Sequence, residues 1–259
     1  MRGRTGGMGT VQWRQRHQDR PLSNQYSGRL NALCTNVNNG TSTYSDKFFK
    51  LTADINVEEI FNSAPTKMVG ISEDVNFRGT FDGGGHTLTV NYQDNNNERA
   101  CASFRYIRNA TIKNLHVAGS ITKTSDKNAG GLVGVAFGTC HIINCRSSVE
   151  ITCGQGDCSS CGFIGKLGTS SSADDTYIDN CLFDGKLEGS GSHSWGGFIG
   201  WVEDEPDAYI TNCYHKLTLV DAQSSTKASD MDNETLSMKL GEAWENIGGQ
   251  VLPIVNPIP

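Results

Sequence analysis

Six residues in two segments combine acidic groups with an aromatic ring, a combination that can bind or cleave a polar ligand. They are Asp174, Asp175, Trp201, Glu203, Asp204 and Glu205. Paired carboxylates can act as acid and base in glycosidic cleavage, and clustered carboxylate oxygens can hold calcium. An aromatic ring beside acids and hydroxyls also suits weak sugar binding. The acids lack EF-hand spacing, so calcium is the less favoured ligand. We expect these residues either to bind a ligand together or to form solvated loops with no partner.

Motifs for other chemistry are incomplete. The six histidines include no His-Glu-x-x-His pair for a zinc peptidase, and no Gly-x-Ser-x-Gly elbow is accompanied by a triad. Cys158 and Cys161 have zinc-knuckle spacing, with Cys153 and His141 nearby, but no second pair completes the site. We favour tight packing or one disulfide over zinc, and we interpret Asp82 as a turn former. We therefore predict no catalytic residue, no metal and no cofactor.

The charge distribution argues against nucleic acid as the partner. The chain carries a formal net charge of -6, whereas a nucleic-acid binder needs a basic surface that displaces counterions. Six arginines nevertheless fall within residues 1–29, beside a single acid. This arm is either a nucleic-acid tail or a disordered leader, and we favour the leader. The chain contains no run of 18 apolar residues, so it is not expected to span a membrane.

Two short motifs alternate along the chain and define internal repeats. The first is a pair of apolar residues between glycines, with one degenerate copy. Its copies are Ala102–Arg105, Gly131–Gly134, Gly162–Gly165 and Gly197–Gly200. The second motif places an asparagine two residues after an isoleucine. These asparagines are Asn114, Asn144, Asn180 and Asn212.

The repeat spacing predicts a solenoid. The step from each asparagine to the next glycine motif is 17 or 18 residues, whereas the step from glycine motif to asparagine varies between 12 and 18. A stacked coil has this property because its strands must keep register while one loop tolerates insertion. The segments are short, rich in Ile, Val, Thr and Phe, and separated by turn residues. We predict an all-β right-handed parallel β-helix of four or five coils with short helical caps.

Residues at equal offsets in the repeats are expected to stack in ladders. Asparagine tolerates turn conformations and can both donate and accept, so the four asparagines predict a hydrogen-bonded structural ladder. Cys145, Cys181 and Cys213 each follow one of the last three asparagines. We predict that these thiols form a reduced, buried ladder inside the coils. Lys123 is expected to be exposed.

Both ends of the repeat region carry helix signals. An apolar helical face begins at Leu30 and stops at Gly40. Residues 233–240 predict a second helix, and Gly248-Gly249 predicts a turn between two short strands. The resulting division is a basic leader (1–29), a β-helix repeat domain (30–221) and a C-terminal capping segment (222–259).

The segment from Phe77 to Leu88 resembles the Phe-x-Gly-Thr-Phe-Asp-Gly-x-Gly-His-x-Ile opening of bacterial surface proteins with GLUG repeats. The glycine motifs resemble the repeat itself, and the similarity extends from about Leu30 to about Pro253. It implies a β-helix on secreted or surface-anchored bacterial proteins, some of them attached to peptidases or adhesins. The implied location is extracellular or on the cell surface, although no apolar export signal follows the positively charged start of the chain.

These observations favour a non-catalytic cell-surface or secreted module for adhesion, ligand binding or spacing. The expected partner is a glycan or a host or microbial surface protein. The alternative is a carbohydrate-active β-helix enzyme resembling a polysaccharide lyase or hydrolase, which a cluster of three carboxylates on one face would favour. A scaffold with no ligand is also open.

Overall fold

Parallel strands from successive repeats stack into the sheets of a β-solenoid of about four turns, accompanied by two short helices. The computed structural model describes residues 23–57, 68–94, 100–124, 128–154, 160–168, 175–189, 196–202, 207–217 and 225–255. The parallel solenoid predicted from the repeat spacing is confirmed, and its right-handed sense remains a prediction.

Three long sheets run along the solenoid. The strands of sheet 1, in stacking order, are Phe48–Lys50, Thr80–Asp82, Thr111–Lys113, Cys140–Ile143, Asp175–Asp179 and Asp207–Thr211. Those of sheet 2 are Ile55–Asn56, Thr87–Asp94, His116–Lys123, Arg146–Cys153, Leu182–Phe183, Tyr214–His215 and Thr226–Lys227, and an eighth strand, Lys186–Gly189, also pairs with Arg146–Cys153. Those of sheet 3 are Phe104–Arg108, Val133–Phe137, Ile164–Leu167 and Ile199–Val202. A small sheet 4 precedes sheet 3 in each of three coils and consists of Ala100–Cys101, Asn128–Gly130 and Ser160–Cys161.

The core is a column of apolar side chains at equal positions of successive coils. Ile112, Ile142 and Ile178 are fully buried in register on sheet 1. Phe163 and Phe198, from two glycine motifs, stack with ring centroids 4.8 Å apart. Because each coil buries its inner face only against its neighbours, the repeats stabilise one another.

The glycine motifs mark a corner where backbones of adjacent coils approach closely. A Cβ atom on Gly131 would lie 2.2 Å from the carbonyl oxygen of Gly162 and 2.2 Å from Oγ of Ser147. No side chain fits at that distance, so the corner requires glycine. This steric limit explains why glycine stands at both Gly131 and Gly162, whose added Cβ atom would lie 2.4 Å from the carbonyl oxygen of Gly197; the degenerate first copy has Ala102 instead.

The two predicted helices are present and end where the sequence indicates. The N-terminal helix, Ser23–Asn38, begins before Leu30 and is followed by Gly40 at a φ of 67°. The C-terminal helix, Asn233–Leu240, begins after Asp232, whose carboxylate accepts a hydrogen bond from the Thr235 amide at 2.7 Å. No described helix is long and apolar enough to cross a membrane.

After the C-terminal helix, two antiparallel strands form a hairpin, Trp244–Ile247 and Gln250–Pro253. We call residues 232–255 the C-terminal strap. Its buried side chains pack against Leu182 and Tyr214 of sheet 2. Farther along, a Cβ atom on Gly85 would lie 2.4 Å from the carbonyl oxygen of Ile254. The strap therefore lies along the side of sheet 2, from the last coil back to the turn at Gly85, between Thr80–Asp82 and Thr87–Asp94.

The expected exposure of Lys123 is wrong, because its side chain is fully buried. Side chains alternate between the two faces of a strand, so Lys123 shares a face with Ile121, two residues earlier. Ile121 belongs to the core, and the same side of the strand is buried at Lys123. The alternation was visible in the sequence and places Lys123 inward.

Candidate functional site

Three aromatic rings stack on the outer face of sheet 1, one from each of three successive coils. The His141 and Tyr177 rings have centroids 4.9 Å apart and planes inclined by 10°. Tyr177 and Tyr209 continue the stack at 5.0 Å and 13°. The neighbouring isoleucines on these strands point into the core, so alternation directs the rings outward. Tyr209, on the last strand of the sheet, is 45% exposed.

Trp201 lies on the last strand of sheet 3 and is 47% exposed. The residues at its register on earlier coils, Tyr106 and Val135, belong to a cluster separate from the main core, so this position faces outward. Lys166, on the preceding strand, places its Nζ atom 4.6 Å from the centroid of the Trp201 ring. This cation–π contact fixes the ring against the coil below it.

Asp175 joins the aromatic stack through a hydrogen bond. The hydroxyl of Tyr177 donates to Oδ2 of Asp175 at 3.1 Å. Asp175 begins its strand of sheet 1 and stands in register with Asp207 on the next strand. The carboxylate therefore orients the middle ring of the stack.

We call these groups together the terminal aromatic face. Its members are Lys166, Asp175, Tyr177, Trp201 and Tyr209. Lys166 and Trp201 belong to sheet 3, and the other three residues belong to sheet 1. Trp201 and Tyr209 stand on consecutive strands of the same last coil, one in sheet 3 and one in sheet 1. Of the six residues predicted to bind ligand, Trp201 and Asp175 belong to this face. The other four, Asp174, Glu203, Asp204 and Glu205, lie outside the described residues.

The last coil is open to solvent on this side. Val202 stands in register with the buried Leu167 but is 39% exposed, and Ile210 is only half-buried although its counterparts in earlier coils are buried. On sheet 2, by contrast, Cys213 and Tyr214 of the same coil are buried near the strap. The strap thus covers one side of the solenoid, whereas Trp201 and Tyr209 stay about half exposed.

The four predicted ladder asparagines occupy equivalent turns between sheets 1 and 2. All four adopt left-handed backbone conformations, with φ between 49° and 52°. Asn144 donates to Asn114 at 3.1 Å, and Asn212 donates to Asn180 at 2.9 Å. Asn114 in turn donates to Asp82 at 3.0 Å. The Oδ1 atom of Asn144 has no hydrogen-bond partner among the residues that the structure describes, so the ladder is interrupted between Asn144 and Asn180.

The three predicted ladder cysteines lie inside the coils directly after these asparagines. Cys145, Cys181 and Cys213 are free and buried. Each thiol donates to the carbonyl oxygen two residues earlier, at 3.2 to 3.3 Å. Burial raises the pKa of the Cys181 thiol well above its usual value. Because a protonated, buried thiol is a poor nucleophile, these side chains fill the core rather than react.

The cysteines considered as zinc ligands differ in oxidation state. Cys153 is disulfide-bonded, whereas Cys161 is free and burial raises its pKa to about 12. Cys158 lies outside the described residues. Within the described ranges, no three His, Cys, Asp or Glu side chains come together as metal ligands.

Two serine–histidine pairs have the contact distance of a nucleophile and its base. In the second pair, Nδ1 of His215 lies 2.9 Å from Oγ of Ser225, and burial lowers the pKa of that histidine as well. The first pair is the shorter one. Nε2 of His116 lies 2.7 Å from Oγ of Ser148, and Nδ1 lies 3.1 Å from the Thr87 hydroxyl. Burial, together with the nearby positive charge of Arg146, lowers the pKa of His116 to about 3. So weak a base does not activate a serine effectively at neutral pH, and in the described part of the chain the second ring nitrogen contacts the Thr87 hydroxyl rather than a carboxylate.

The aromatic stack was missed in the sequence although a signal for it existed. His141, Tyr177 and Tyr209 each stand three residues before a ladder asparagine. Comparison of the repeats at that offset, rather than at the buried offsets alone, would have indicated an outward ladder.

The GLUG motif is matched at residues 125–152, a segment that includes one glycine motif and Asn144. The resemblance to GLUG repeats is thereby confirmed. No curated protein matches the chain. Among solved structures, the chain is similar to a Bacteroides ovatus protein named provisionally as an immunoglobulin A1 protease. The two share 14% sequence identity at a TM-score of 0.47, over 82% of this chain and 87% of that one. A likeness at this level does not bear on function.

Proposed function

We propose that the chain is a non-catalytic bacterial module, secreted or displayed on the cell surface, that binds a ligand through the terminal aromatic face. The observation that carries the proposal is the exposure of Trp201 and Tyr209 on a rigid scaffold. Exposed aromatic rings are enriched at binding sites because they bury much area at little conformational cost. Here stacking on Tyr177 and the contact with Lys166 hold both rings before a ligand arrives.

Two further observations support this assignment. A disulfide at Cys153 is compatible with an oxidising, extracytoplasmic compartment. The Ser148–His116 pair, the arrangement closest to a nucleophile in the described residues, has a histidine that is too weak a base. We therefore assign the solenoid to recognition and spacing rather than to catalysis.

The test compares adhesion of the parent chain with that of a double variant, Trp201→Ala with Tyr209→Ala. Fluorescently labelled protein would be applied to immobilised mucin and to epithelial cells. We expect the double variant to lose at least about tenfold in apparent affinity, because aromatic anchors dominate binding energy.

Phe48→Ala provides a matched control. Phe48 is also exposed, at 37%, and lies 5.5 Å from Lys113 in a cation–π contact on the first strand of sheet 1. This variant loses a similar ring at the opposite end of the solenoid and should bind like the parent. Equal binding by parent and double variant would place the ligand elsewhere, and no binding by the parent would favour a spacer.

A further inference from the structure

We infer that the N-terminal end of the solenoid binds a small organic acid that carries one compact apolar group. The site is a cavity between the helix Ser23–Asn38 and the first coil, and we call it the cap cavity. It lies at the opposite end of the solenoid from Trp201 and Tyr209, so this inference does not depend on the proposed function. The apolar residues that line the cavity are Leu30, Leu33, Phe49, Leu51, Ile55 and Phe81, and the cationic ones are Arg29 and Lys50.

The walls of the cap cavity are largely apolar because the helix closes the end of the core. Leu30 and Leu33 lie three residues apart on one side of the helix, and both are buried in the main core. Phe81 of sheet 1 and Ile55 of sheet 2 belong to the same core. The enclosed volume is about 30 Å³, which is room for about two water-sized groups. Because apolar side chains offer water no hydrogen bond, a small alkyl group is favoured there over water.

Two cations complete the lining of the cap cavity. Arg29 on the helix is exposed, and Lys50 at the end of the first strand of sheet 1 is half-buried. The ammonium group of Lys50 makes no hydrogen bond or ion pair with any residue that the structure describes. Asp82, in register with Lys50 on the next strand, instead accepts hydrogen bonds from the amide of Gly84 and the side chain of Asn114. Since charges removed from water are normally paired, these cations favour an anionic ligand.

The small apolar volume and the two cations together select the class of ligand. A compact branched alkyl group suits the enclosed volume, whereas a long acyl chain would leave most of its length in water. A sugar would place hydroxyl groups against walls that cannot pair with them. A carboxylate accepts charge-assisted hydrogen bonds from lysine and arginine. The class is therefore a branched-chain carboxylate, supplied as a free acid or as the C-terminal residue of a peptide.

The test titrates the full chain with three compounds of the same shape, isovalerate, isovaleramide and isoamylamine, and follows the leucine methyl groups by NMR. Isovalerate should shift the methyl signals of Leu30 and Leu33, while those of Leu236 in the strap stay in place. We expect isovaleramide to bind at least about threefold more weakly, because it lacks the charge, and isoamylamine to cause no shift. Raising the salt concentration should narrow the difference between isovalerate and isovaleramide.

The peptide Gly-Gly-Val separates the two sources of the carboxylate. Tighter binding by this peptide than by isovalerate would identify the C-terminus of a peptide as the ligand. Weaker binding by the peptide would identify a free acid. Both results support the inferred class.

A pair of lysine variants tests the contribution of charge. Lys50→Gln should weaken the binding of isovalerate by at least about threefold and leave that of isovaleramide unchanged, because the apolar walls stay intact. Lys47→Gln is the matched control, since Lys47 is exposed on the same segment and does not line the cavity. Equal binding of the three compounds, or unchanged isovalerate binding by a folded Lys50→Gln variant, would overturn the inference. Methyl signals of Leu30 and Leu33 that do not move at saturating isovalerate would also overturn it. Melting curves of each variant separate loss of binding from loss of structure.

Discussion

Asn144 donates a hydrogen bond from Nδ2 to Oδ1 of Asn114 at 3.1 Å, and both residues adopt left-handed backbone conformations. The first prediction concerns this pair. Asn144→Leu should lower the free energy of unfolding by about 1–3 kcal/mol, because it loses the bond and places a branched side chain at positive φ. Asn144→Gly loses the bond but fits the backbone, so it should cost less. Chemical denaturation of both variants measures the difference. Equal stability of all three proteins would show that the turn does not depend on asparagine.

The second prediction concerns the glycine corner. Gly131→Ala should destabilise the solenoid by about 2 kcal/mol, because the added methyl group meets the backbone of the next coil at 2.2 Å. Gly154→Ala is the matched control, since its added atom would meet nothing closer than 3.5 Å. That control should change stability by less than about 0.5 kcal/mol. Similar melting temperatures for the two variants would refute the close packing at this corner.

The third prediction concerns the ion pair next to the strap. Arg146 contacts both carboxylate oxygens of Asp184, at 2.9 and 2.7 Å, and donates to Gln250 of the hairpin at 3.2 Å. Arg146→Ala leaves Asp184 without its cation and should cost about 3 kcal/mol. The combined change Arg146→Met with Asp184→Leu should cost less, because no charge is left unpaired.

Limited proteolysis measures the same effect on the strap. Cleavage within residues 241–255 should accelerate in Arg146→Ala and less so in the combined variant. If both variants are as resistant as the parent, the ion pair does not hold the strap.

The fourth prediction concerns acid stability. The pKa of His116 is lowered from 6.5 to about 3, first by burial and then by Arg146. Below about pH 6.5 the unfolded chain gains a proton that the folded chain does not, so stability should fall as the pH decreases from 6.5 toward 3. His116→Gln should flatten the dependence of the melting temperature between pH 7 and pH 5. An unchanged slope in that variant would assign the acid sensitivity to other groups.

Sequence reasoning succeeded where repeats constrain every coil in the same way. The offsets of the isoleucines, asparagines and glycine motifs reflect stacking, which demands equal residues at equal positions, so the parallel solenoid followed from them. The C-terminal helix was equally readable, because Asp232 and Gly241 are local cap signals that depend on no distant contact.

The course of the strap and the position of the aromatic stack were harder to predict. The strap lies beside sheet 2 because Leu182 and Tyr214 offer an apolar surface there, a relationship between residues far apart in sequence. The sequence also did not reveal that the asparagine ladder is interrupted. Equal spacing brings Asn144 and Asn180 to equivalent turns, but hydrogen bonding requires side-chain orientations that spacing does not determine.

Hydroxyl-radical footprinting of the chain with and without mucin reports side-chain accessibility residue by residue, and so it tests whether the terminal aromatic face binds the ligand. If it does, Trp201 and Tyr209 become protected on binding, while Phe48 at the far end of the solenoid keeps its reactivity. Protection at Phe48 or on the strap, with Trp201 and Tyr209 as reactive as in the free protein, would contradict it.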